Sequence, residues 1–298
     1  MESTRDIFSH CHPTVVLAYF AGIIGVTMLV MSPVFAGLSL VGATMACLAV
    51  RGRSALPLIG GIAVLGAGVT LLNPLFNTAG DTVLFEVFGR PYTAEVLMFG
   101  GTMGGALGAA LLWFSVASRA LTAEKVTYLF GGRAPALTTV LTLVLRLVPA
   151  YGRRATALAE ARAGVGLGVS EADGLGGKVR VGATLLSSLT AWSLEQGVTT
   201  ADSLAARGFG SGSRTAWGRY RFRWREGALM ALLGVLAFGM GAGVAAGAGA
   251  AEFLPRFQLP AADALVLVGW VSWTAMVLLP TMLAVAGEVR WRCSLWNI

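Results

Sequence analysis

The chain has 298 residues, of which 56% are hydrophobic and only 12% are charged. Because soluble globular domains carry about 25% charged residues, this composition argues against a soluble enzyme and predicts an integral membrane protein. The mean hydropathy of +0.73 and the 40 glycines fit that class, since small residues allow membrane helices to pack closely.

The residues that carry metal and redox chemistry are sparse and scattered. Cys11, Cys47 and Cys293 lie far apart and form no CxxC pair, so the sequence offers neither a disulfide framework nor a thiolate metal site. The two histidines, His10 and His12, have no helical HxxxH partner. We therefore expect no metal site and no cofactor in this chain.

Six apolar runs approach the roughly 20 residues that a helix needs to cross a bilayer. In chain order they span residues 14–31, 34–50, 55–72, 94–118, 227–250 and 264–286. The first run follows a leader that contains Glu2 and Asp6, so we expect a retained helix and not a signal peptide. The predicted fold is an all-α integral membrane protein with about six transmembrane helices.

The basic residues predict how these helices are oriented, because cytoplasmic loops carry an excess of lysine and arginine. Arg51 and Arg53 lie between the second and third runs, whereas segment 73–93 holds two acidic residues and one arginine. The first of these loops is therefore expected inside the cell and the second outside. Carried to the end of the chain, this places both termini in the cytoplasm, with only Arg90 and Arg256 among the basic residues outside.

A basic segment, residues 119–225, separates the fourth and fifth apolar runs and is long enough to form a domain. We expect one helix over 135–163, bent at Pro149, and a second over 178–207. Residues 137–148 are too apolar for a solvated helix and too few for a confident span, so they are expected at the membrane interface. In the second helix, four apolar residues share one face, namely Val181, Leu185, Leu189 and Trp192.

Three regions follow from this pattern. Residues 1–134 are expected to form an N-terminal membrane region of about four spans, and residues 227–298 a C-terminal hairpin of two spans. Residues 135–226 are expected to form a cytoplasmic or interfacial domain of two helices. Its last part, 217–225, alternates aromatic and basic residues. Such a run before a membrane helix is typical of an anchor in the lipid bilayer, and we expect no nucleic-acid binding from it.

Two similar tripeptides end the helices of the middle domain. Ala161-Arg162-Ala163 is followed by Gly164, and Ala206-Arg207-Gly208 lies 45 positions further on. An arginine between small residues at a helix tip can enter a groove on a partner and pair with a carboxylate. Alternatively, arginine near a helix C-terminus complements the helix dipole and hydrogen-bonds the last carbonyls. The pattern alone leaves both interpretations open.

Other motifs have structural interpretations. Gly176-Gly-Lys178 is not a Walker A motif, because Ala172 stands where the first glycine is needed and Val179 where serine or threonine is needed. Glu195 and Asp202 are expected to be surface charges, and no residue is assigned to catalysis. Two series with four-residue spacing are expected to be helix-contact surfaces, within the chain or with a partner, namely Gly100, Gly104 and Gly108, and Gly239, Gly243 and Gly247.

A set of short segments, specific in their order and spacing, runs across most of the chain. They are His12-Pro13, Asn73-Pro-Leu-Phe-Asn77 with Gly80 and Leu84-Phe85, Leu145-Arg146-Leu-Val-Pro149, Ala191-Trp-Ser-Leu-Glu195, Thr200-Ala-Asp-Ser203, Ala206-Arg-Gly-Phe-Gly210 and Arg214-Thr215. Through these segments the chain resembles the transmembrane T component of energy-coupling factor (ECF) transporters, the vitamin and metal importers of prokaryotes.

The resemblance implies a function for the two tripeptides. In that family each arginine of two Ala-Arg-Gly-like motifs docks into a groove on one of two ABC-type ATPases, and Arg162 and Arg207 match those positions. The first motif departs from the family pattern, because Ala163 replaces glycine or serine, but it is still small. The expected docking residues are therefore Ala161, Arg162, Ala163, Ala206, Arg207 and Gly208.

The resemblance also implies the setting in which the chain works. It would be a non-catalytic subunit in a prokaryotic cell membrane that transmits ATP-driven motion of two ATPases to a separate substrate-binding membrane subunit, the S component. ATP would be bound by the ATPases, and the transported vitamin or metal ion would be selected by the S component. Two alternatives stay open, a membrane anchor for another cytosolic complex and a self-contained membrane channel or enzyme.

Overall fold

The computed structural model of the protein describes residues 12–77, 80–87, 90–131, 135–168, 174–212, 224–251, 253, 260–261 and 263–295, without the side chains of 87, 90, 131, 135–137 and 284–295. Nine α-helices and two strands lie in this part of the chain. They are α1 (Pro13–Leu29), α2 (Pro33–Arg51), α3 (Leu56–Phe76), β1 (Val83–Val87), β2 (Arg90–Thr93), α4 (Ala94–Ala120), α5 (Ala123–Gly131), α6 (Pro135–Gly164), α7 (Leu175–Ala206), α8 (Trp224–Ala245) and α9 (Ala264–Leu295).

Local sequence explains where the first helices begin and end. Pro13 and Pro33 occupy the first position of α1 and α2, where the missing N–H of proline is not needed. Gly52 has a φ of +61°, a conformation that glycine adopts without steric cost, and it ends α2. A 3-10 helix, Gly52–Ala55, then leads into α3.

Four stretches of the described chain are long and apolar enough to cross a membrane: Pro33–Phe76, Ala94–Ala120, Trp224–Ala245 and Ala264–Leu283. The first has 44 residues, about 66 Å as one helix and twice the thickness of a bilayer core, but the turn at Gly52 divides it into α2 and α3. The apolar helix α1 is shorter, with 17 residues. These features are those of a helical membrane protein, as expected, and the number of six crossings stays a prediction.

Segment 73–93 contains structure that the sequence analysis did not predict. Strands β1 and β2 pair antiparallel, with Val83 opposite Thr93, and the rings of Phe85 and Tyr92 stack with centroids 5.1 Å apart. Glu95, in the first turn of α4, is buried, and its carboxylate accepts hydrogen bonds from the Thr82 hydroxyl at 2.6 Å and the Thr82 amide at 3.3 Å. The hairpin is thereby fixed to the start of α4. Helix α5 was likewise not predicted.

The chain divides into two compact units, Met1–Lys125 with Tyr220–Ile298, and Val126–Arg219. In the first unit, α4 packs against α1, α2 and α3, and α9 packs against α2 and α8. Three polar side chains are hydrogen-bonded to one another in the core of the first unit. The Trp113 indole donates to the Ser39 hydroxyl at 3.0 Å, and the hydroxyls of Ser39 and Thr27 are hydrogen-bonded at 2.8 Å. This group joins α1, α2 and α4 at a depth where unpaired polar atoms are costly.

The glycine series predicted as helix-contact surfaces lie where helices approach most closely. A Cβ added at Gly104 would lie 2.6 Å from the carbonyl oxygen of Gly66 on α3. On α8, a Cβ at Gly239 would lie 2.7 Å from the Ser272 hydroxyl of α9, and one at Gly243 would overlap the backbone of Gly269. The prediction is confirmed for these positions.

Gly100 and Gly108, the other members of the α4 series, also face α3, but Gly247 does not belong to a contact surface. Its φ is +99°, and no atom lies within 4 Å of an added Cβ. The amide of Gly247 instead donates to the carbonyl of Val244, and the next amide, Ala248, donates to Gly243. Gly247 therefore ends α8 and makes no helix contact within the described part of the chain, whereas a contact with a partner stays a prediction.

A proline inside α9 explains one buried hydrogen bond. Pro280 has no amide hydrogen, so the carbonyl of Met276, four residues earlier, loses its helical donor. The hydroxyl of Tyr19 on α1 donates to this carbonyl at 3.1 Å. A polar side chain from a neighbouring helix thus replaces the missing backbone donor, as membrane helices with prolines require.

The second unit contains the two helices predicted for the middle domain. Pro149 lies inside α6. On α7, the predicted face of Val181, Leu185, Leu189 and Trp192 is half-buried, whereas most other α7 positions are exposed. The predicted regions 1–134, 135–226 and 227–298 stay a prediction.

Candidate partner-docking site

The tip of α6 is formed by the residues that follow Arg162. The amide of Leu167 donates to the carbonyl of Arg162 at 2.8 Å, and the amide of Gly166 donates to the carbonyl of Ala163 at 3.0 Å. Gly166 has a φ of +75°. These are the two hydrogen bonds and the left-handed glycine of a Schellman motif, which closes a helix by satisfying its last carbonyls.

The tip of α7 closes in the same way. The amide of Phe209 donates to the carbonyl of Leu204 at 3.0 Å, and the amide of Gly208 donates to the carbonyl of Ala205 at 3.0 Å. Gly208 has a φ of +73°. Arg207 is the C-cap residue, immediately before the left-handed glycine.

The two predicted motifs therefore occupy different positions in the same local structure. When the Schellman motifs are superimposed by their hydrogen bonds, Gly166 corresponds to Gly208 and Val165 corresponds to Arg207. Arg162 lies three residues before Val165, almost one helical turn back from the tip. The tripeptides are alike in sequence, but their arginines are not structurally equivalent.

The surroundings of the two arginines differ accordingly. Arg207 is exposed, whereas Arg162 is half-buried and its Nε is shielded from solvent without a hydrogen-bond partner in the described part of the chain. Within the same described residues, neither guanidinium forms an ion pair or bonds a terminal carbonyl of its own helix. The carbonyls that arginine could have capped are instead satisfied by tip amides.

The small residues of the motifs lie at the surface, and one of them, Ala163, also contacts the chain that follows α6. Ala161, Ala163, Ala206 and Gly208 are exposed. A Cβ added at Gly168 would, however, lie 3.0 Å from the Cα and Cβ of Ala163. The chain after the α6 tip thus folds back against Ala163, and this contact is a structural reason for a small residue there.

The packing of α6 on α7 sets a minimum distance between the arginines. Tyr151 and Trp192 contact edge to face, with ring centroids 5.4 Å apart. At a rise of 1.5 Å per residue, Arg162 lies about 16 Å past this contact along α6, and Arg207 about 22 Å past it along α7. The connection from Gly164 at the end of α6 to Leu175 at the start of α7 spans at most about 38 Å. If the two helices ran in the same direction through the contact, these two residues would lie farther apart than the connection can reach. The helices must cross or run antiparallel, which keeps the arginines more than about 20 Å apart.

The remaining sequence motifs form no chemical site in the described residues. Glu195 and Asp202 are both exposed on α7, and no group of three His, Cys, Asp or Glu side chains that could hold a metal is found in the part of the chain described. Gly176 and Gly177 belong to the first turn of α7. Of the aromatic and basic run, residues 217–223 and likewise Arg214-Thr215 of the resemblance lie outside the described residues, and Trp224 and Arg225 are exposed.

One buried carboxylate, that of Glu226 near the start of α8, was not predicted from the sequence. Glu226 is 8% exposed, and its Oε1 accepts a hydrogen bond from the amide of His12 at 3.1 Å. His12 caps α1, because its Nδ1 accepts from the amide of Thr14 at 3.3 Å. The N-termini of α1 and α8 thus share a carboxylate, which their dipoles favour. An acidic residue directly after a run of basic ones was the available signal.

No protein-family model and no curated protein matches the sequence.

Proposed function

We propose that the chain is the T component of an ECF-type ABC importer, a non-catalytic subunit in a prokaryotic cell membrane. It links two cytosolic ABC-type ATPases to a separate substrate-binding membrane subunit, the S component, for uptake of a vitamin or metal ion. In this proposal the ATPases bind ATP, the chain holds no cofactor, and both of its termini lie in the cytoplasm. The helical membrane character of the chain supports its place as the membrane-embedded partner.

The observation that carries the proposal is the pair of helix tips in the second unit. Each helix ends in a hydrogen-bonded turn. Arg207 lies in the turn of α7, Arg162 lies almost one helical turn before the tip of α6, and neither arginine has an ion-pair partner in the described part of the chain. Because the Cα atoms of the two arginines are more than about 20 Å apart, the arrangement suits two binding sites on two partner subunits. The segments that resemble the T component supply the identity of those partners.

The geometry also favours docking over the alternative role of arginine at a helix end. A capping arginine would donate to the last carbonyls of its helix, but backbone amides occupy carbonyls at both tips. The favourable interaction of each charge with the helix dipole remains, worth about 0.3–1 kcal/mol. That interaction does not require a guanidinium without an ion-pair partner in its own chain, whereas docking to a carboxylate does. Arg207 is exposed and Arg162 is half-buried.

The test is co-purification from membranes of the native host. Tagged wild-type chain, Arg162→Ala, Arg207→Ala and the double variant are extracted in mild detergent, and the ATPase activity of what co-purifies is measured. Two nucleotide-binding proteins are expected with wild type, and less of them should be recovered with the double variant. Arg146→Ala, at an exposed arginine of α6 about 24 Å from Arg162 along the helix, is the matched control and should keep them.

Two results would refute the proposal. One is the absence of any ATPase from the wild-type complex, and the other is an ATPase that binds the double variant as well as it binds wild type. In the second case the chain would be a membrane anchor for that complex through another surface. Quantifying the chain in the membrane fraction of each strain separates loss of docking from loss of insertion.

A further inference from the structure

The two helix tips present different side chains to a partner, although their backbones close in the same way. At the tip of α7, Arg207 is exposed and Phe209 is 57% exposed. At the equivalent positions of α6, Val165 is 71% exposed and Leu167 is 58% exposed. The α7 tip therefore offers a cation next to an aromatic ring, and the α6 tip offers two aliphatic side chains.

The exposure of Leu167 and Phe209 is more than their local role requires. The residue after the left-handed glycine of a Schellman motif commonly packs on the residue five positions earlier. For Phe209 that residue is Leu204, but for Leu167 it is Arg162, which is charged. The α6 tip thus lacks the usual apolar partner within its own motif, and more than half of each side chain stays available for contact.

We propose that the two tips are bound by chemically different grooves on the ATPases, an inference that rests on the proposed function. The groove for α7 carries a carboxylate beside an apolar pocket, which receive Arg207 and Phe209. The groove for α6 is apolar and receives Val165 and Leu167. Arg162, half-buried one turn back, pairs only at the margin of that groove and contributes less than Arg207.

The two grooves should respond differently to salt. Attraction between an arginine and a carboxylate at an accessible interface is screened as the Debye length falls from about 10 Å at 0.1 M salt towards 3 Å at 1 M. Apolar contact is not weakened by screening of charge. Salt dependence of binding therefore distinguishes the two tips without knowledge of the ATPase sequences.

The experiment uses the full chain in lipid nanodiscs and the ATPases that co-purify with wild type, stripped from the complex and repurified. Two variants each keep one tip: Val165→Ser with Leu167→Ser leaves α7, and Arg207→Ala with Phe209→Ser leaves α6. Affinity is measured at 50 and 500 mM NaCl. Binding through α7 is expected to weaken about fivefold at high salt, and binding through α6 by less than about twofold.

A second comparison tests the assignment within the α6 tip. In the variant that keeps only α6, Arg162→Ala should lower affinity by less than about threefold. In the same background, replacing both aliphatic tip residues by serine should lower it about tenfold or more. Val198→Ser removes an equally exposed aliphatic residue of α7, 64% exposed, away from both tips and should change nothing. Size-exclusion profiles and far-ultraviolet circular dichroism check the fold of each variant.

The outcomes separate this inference from the proposed function. If wild type captures no ATPase, the proposed function fails and the inference fails with it. If ATPases bind but both tips show the same salt dependence, or if Arg162→Ala costs as much as the two serine substitutions, the inference alone is overturned. A specific loss at the aliphatic pair, with Val198→Ser unchanged, supports it.

Discussion

A single methyl group at Gly104 should separate α3 from α4. The Cβ of an alanine there would lie 2.6 Å from the carbonyl oxygen of Gly66 and 3.2 Å from its Cα. Both neighbours are backbone atoms, so no side chain can rotate away, and the helices must move apart by roughly 0.8 Å to restore normal contact. Overpacking of this kind costs about 1–3 kcal/mol, and we expect Gly104→Ala to be less stable by that amount than an alanine substitution at an uncrowded helical glycine.

Two neighbouring glycines provide matched controls. An added Cβ at Gly105 has no atom within 4 Å, and one at Gly66 lies at an ordinary 3.4 Å from the carbonyl oxygen of Gly104. Each substitution to alanine gains the same intrinsic helix propensity, up to about 1 kcal/mol, so differences between the variants isolate the helix contact. Gly105→Ala should be neutral or stabilising, and Gly66→Ala should cost less than Gly104→Ala.

The measurement is reversible unfolding in mixed detergent micelles with increasing dodecyl sulfate, followed by tryptophan fluorescence, for wild type and the three variants. Trp113 on α4 is fully buried and is one of the eight tryptophans whose summed emission follows the unfolding of the chain. Equal stability of Gly104→Ala and Gly105→Ala would refute the close approach of α3 and α4 at Gly104.

Three further predictions concern contacts elsewhere in the chain. Tyr19→Phe removes the donor to the carbonyl freed by Pro280 and should cost about 1 kcal/mol in the same unfolding assay; an unchanged midpoint would refute that role. Glu95→Ala removes the acceptor that holds the hairpin to α4, so amide hydrogen exchange over 83–93 should accelerate while exchange in α4 is unchanged; uniform exchange rates would contradict it. Trp192→Ala removes a ring that packs α7 on α6 and should speed proteolysis within 126–219, whereas Trp224→Ala, at an 81% exposed ring, should not.

The helices of this chain could be predicted because their determinants are local. Runs of apolar residues give the length of each membrane helix, and glycine and proline mark many of the ends, as at Gly52 and Pro33. The hairpin could not be found in this way. Its strands are short and β1 is exposed, and the interactions that fix the hairpin, between Thr82 and Glu95, join residues on either side of the segment.

The candidate site illustrates a different limit. The sequence located both arginines and the glycines that follow them, but three glycines follow Arg162, at positions 164, 166 and 168. Which of them adopts the left-handed conformation decides which residue lies at the tip, and the spacing alone does not determine it. Gly166 takes that role, so Val165 and Leu167 lie at the tip and Arg162 does not. Residues aligned by the similarity of the two tripeptides are therefore not structurally equivalent.

The edge-to-face contact between Tyr151 and Trp192 is a pivot about which α6 and α7 can change their angle. The arms from this pivot to Arg162 and to Arg207 differ in length. With arms of about 16 and 22 Å, a change of 10° in the angle between the helices moves Arg207 by about 4 Å if α6 stays fixed, or Arg162 by about 3 Å if α7 stays fixed. Displacements of that size resemble the shifts by which packed helices switch between states. The Arg154 guanidinium lies 5.7 Å from the centre of the same Trp192 ring. A change in the angle between the helices would therefore pivot at a contact that contains both a cation and aromatic rings.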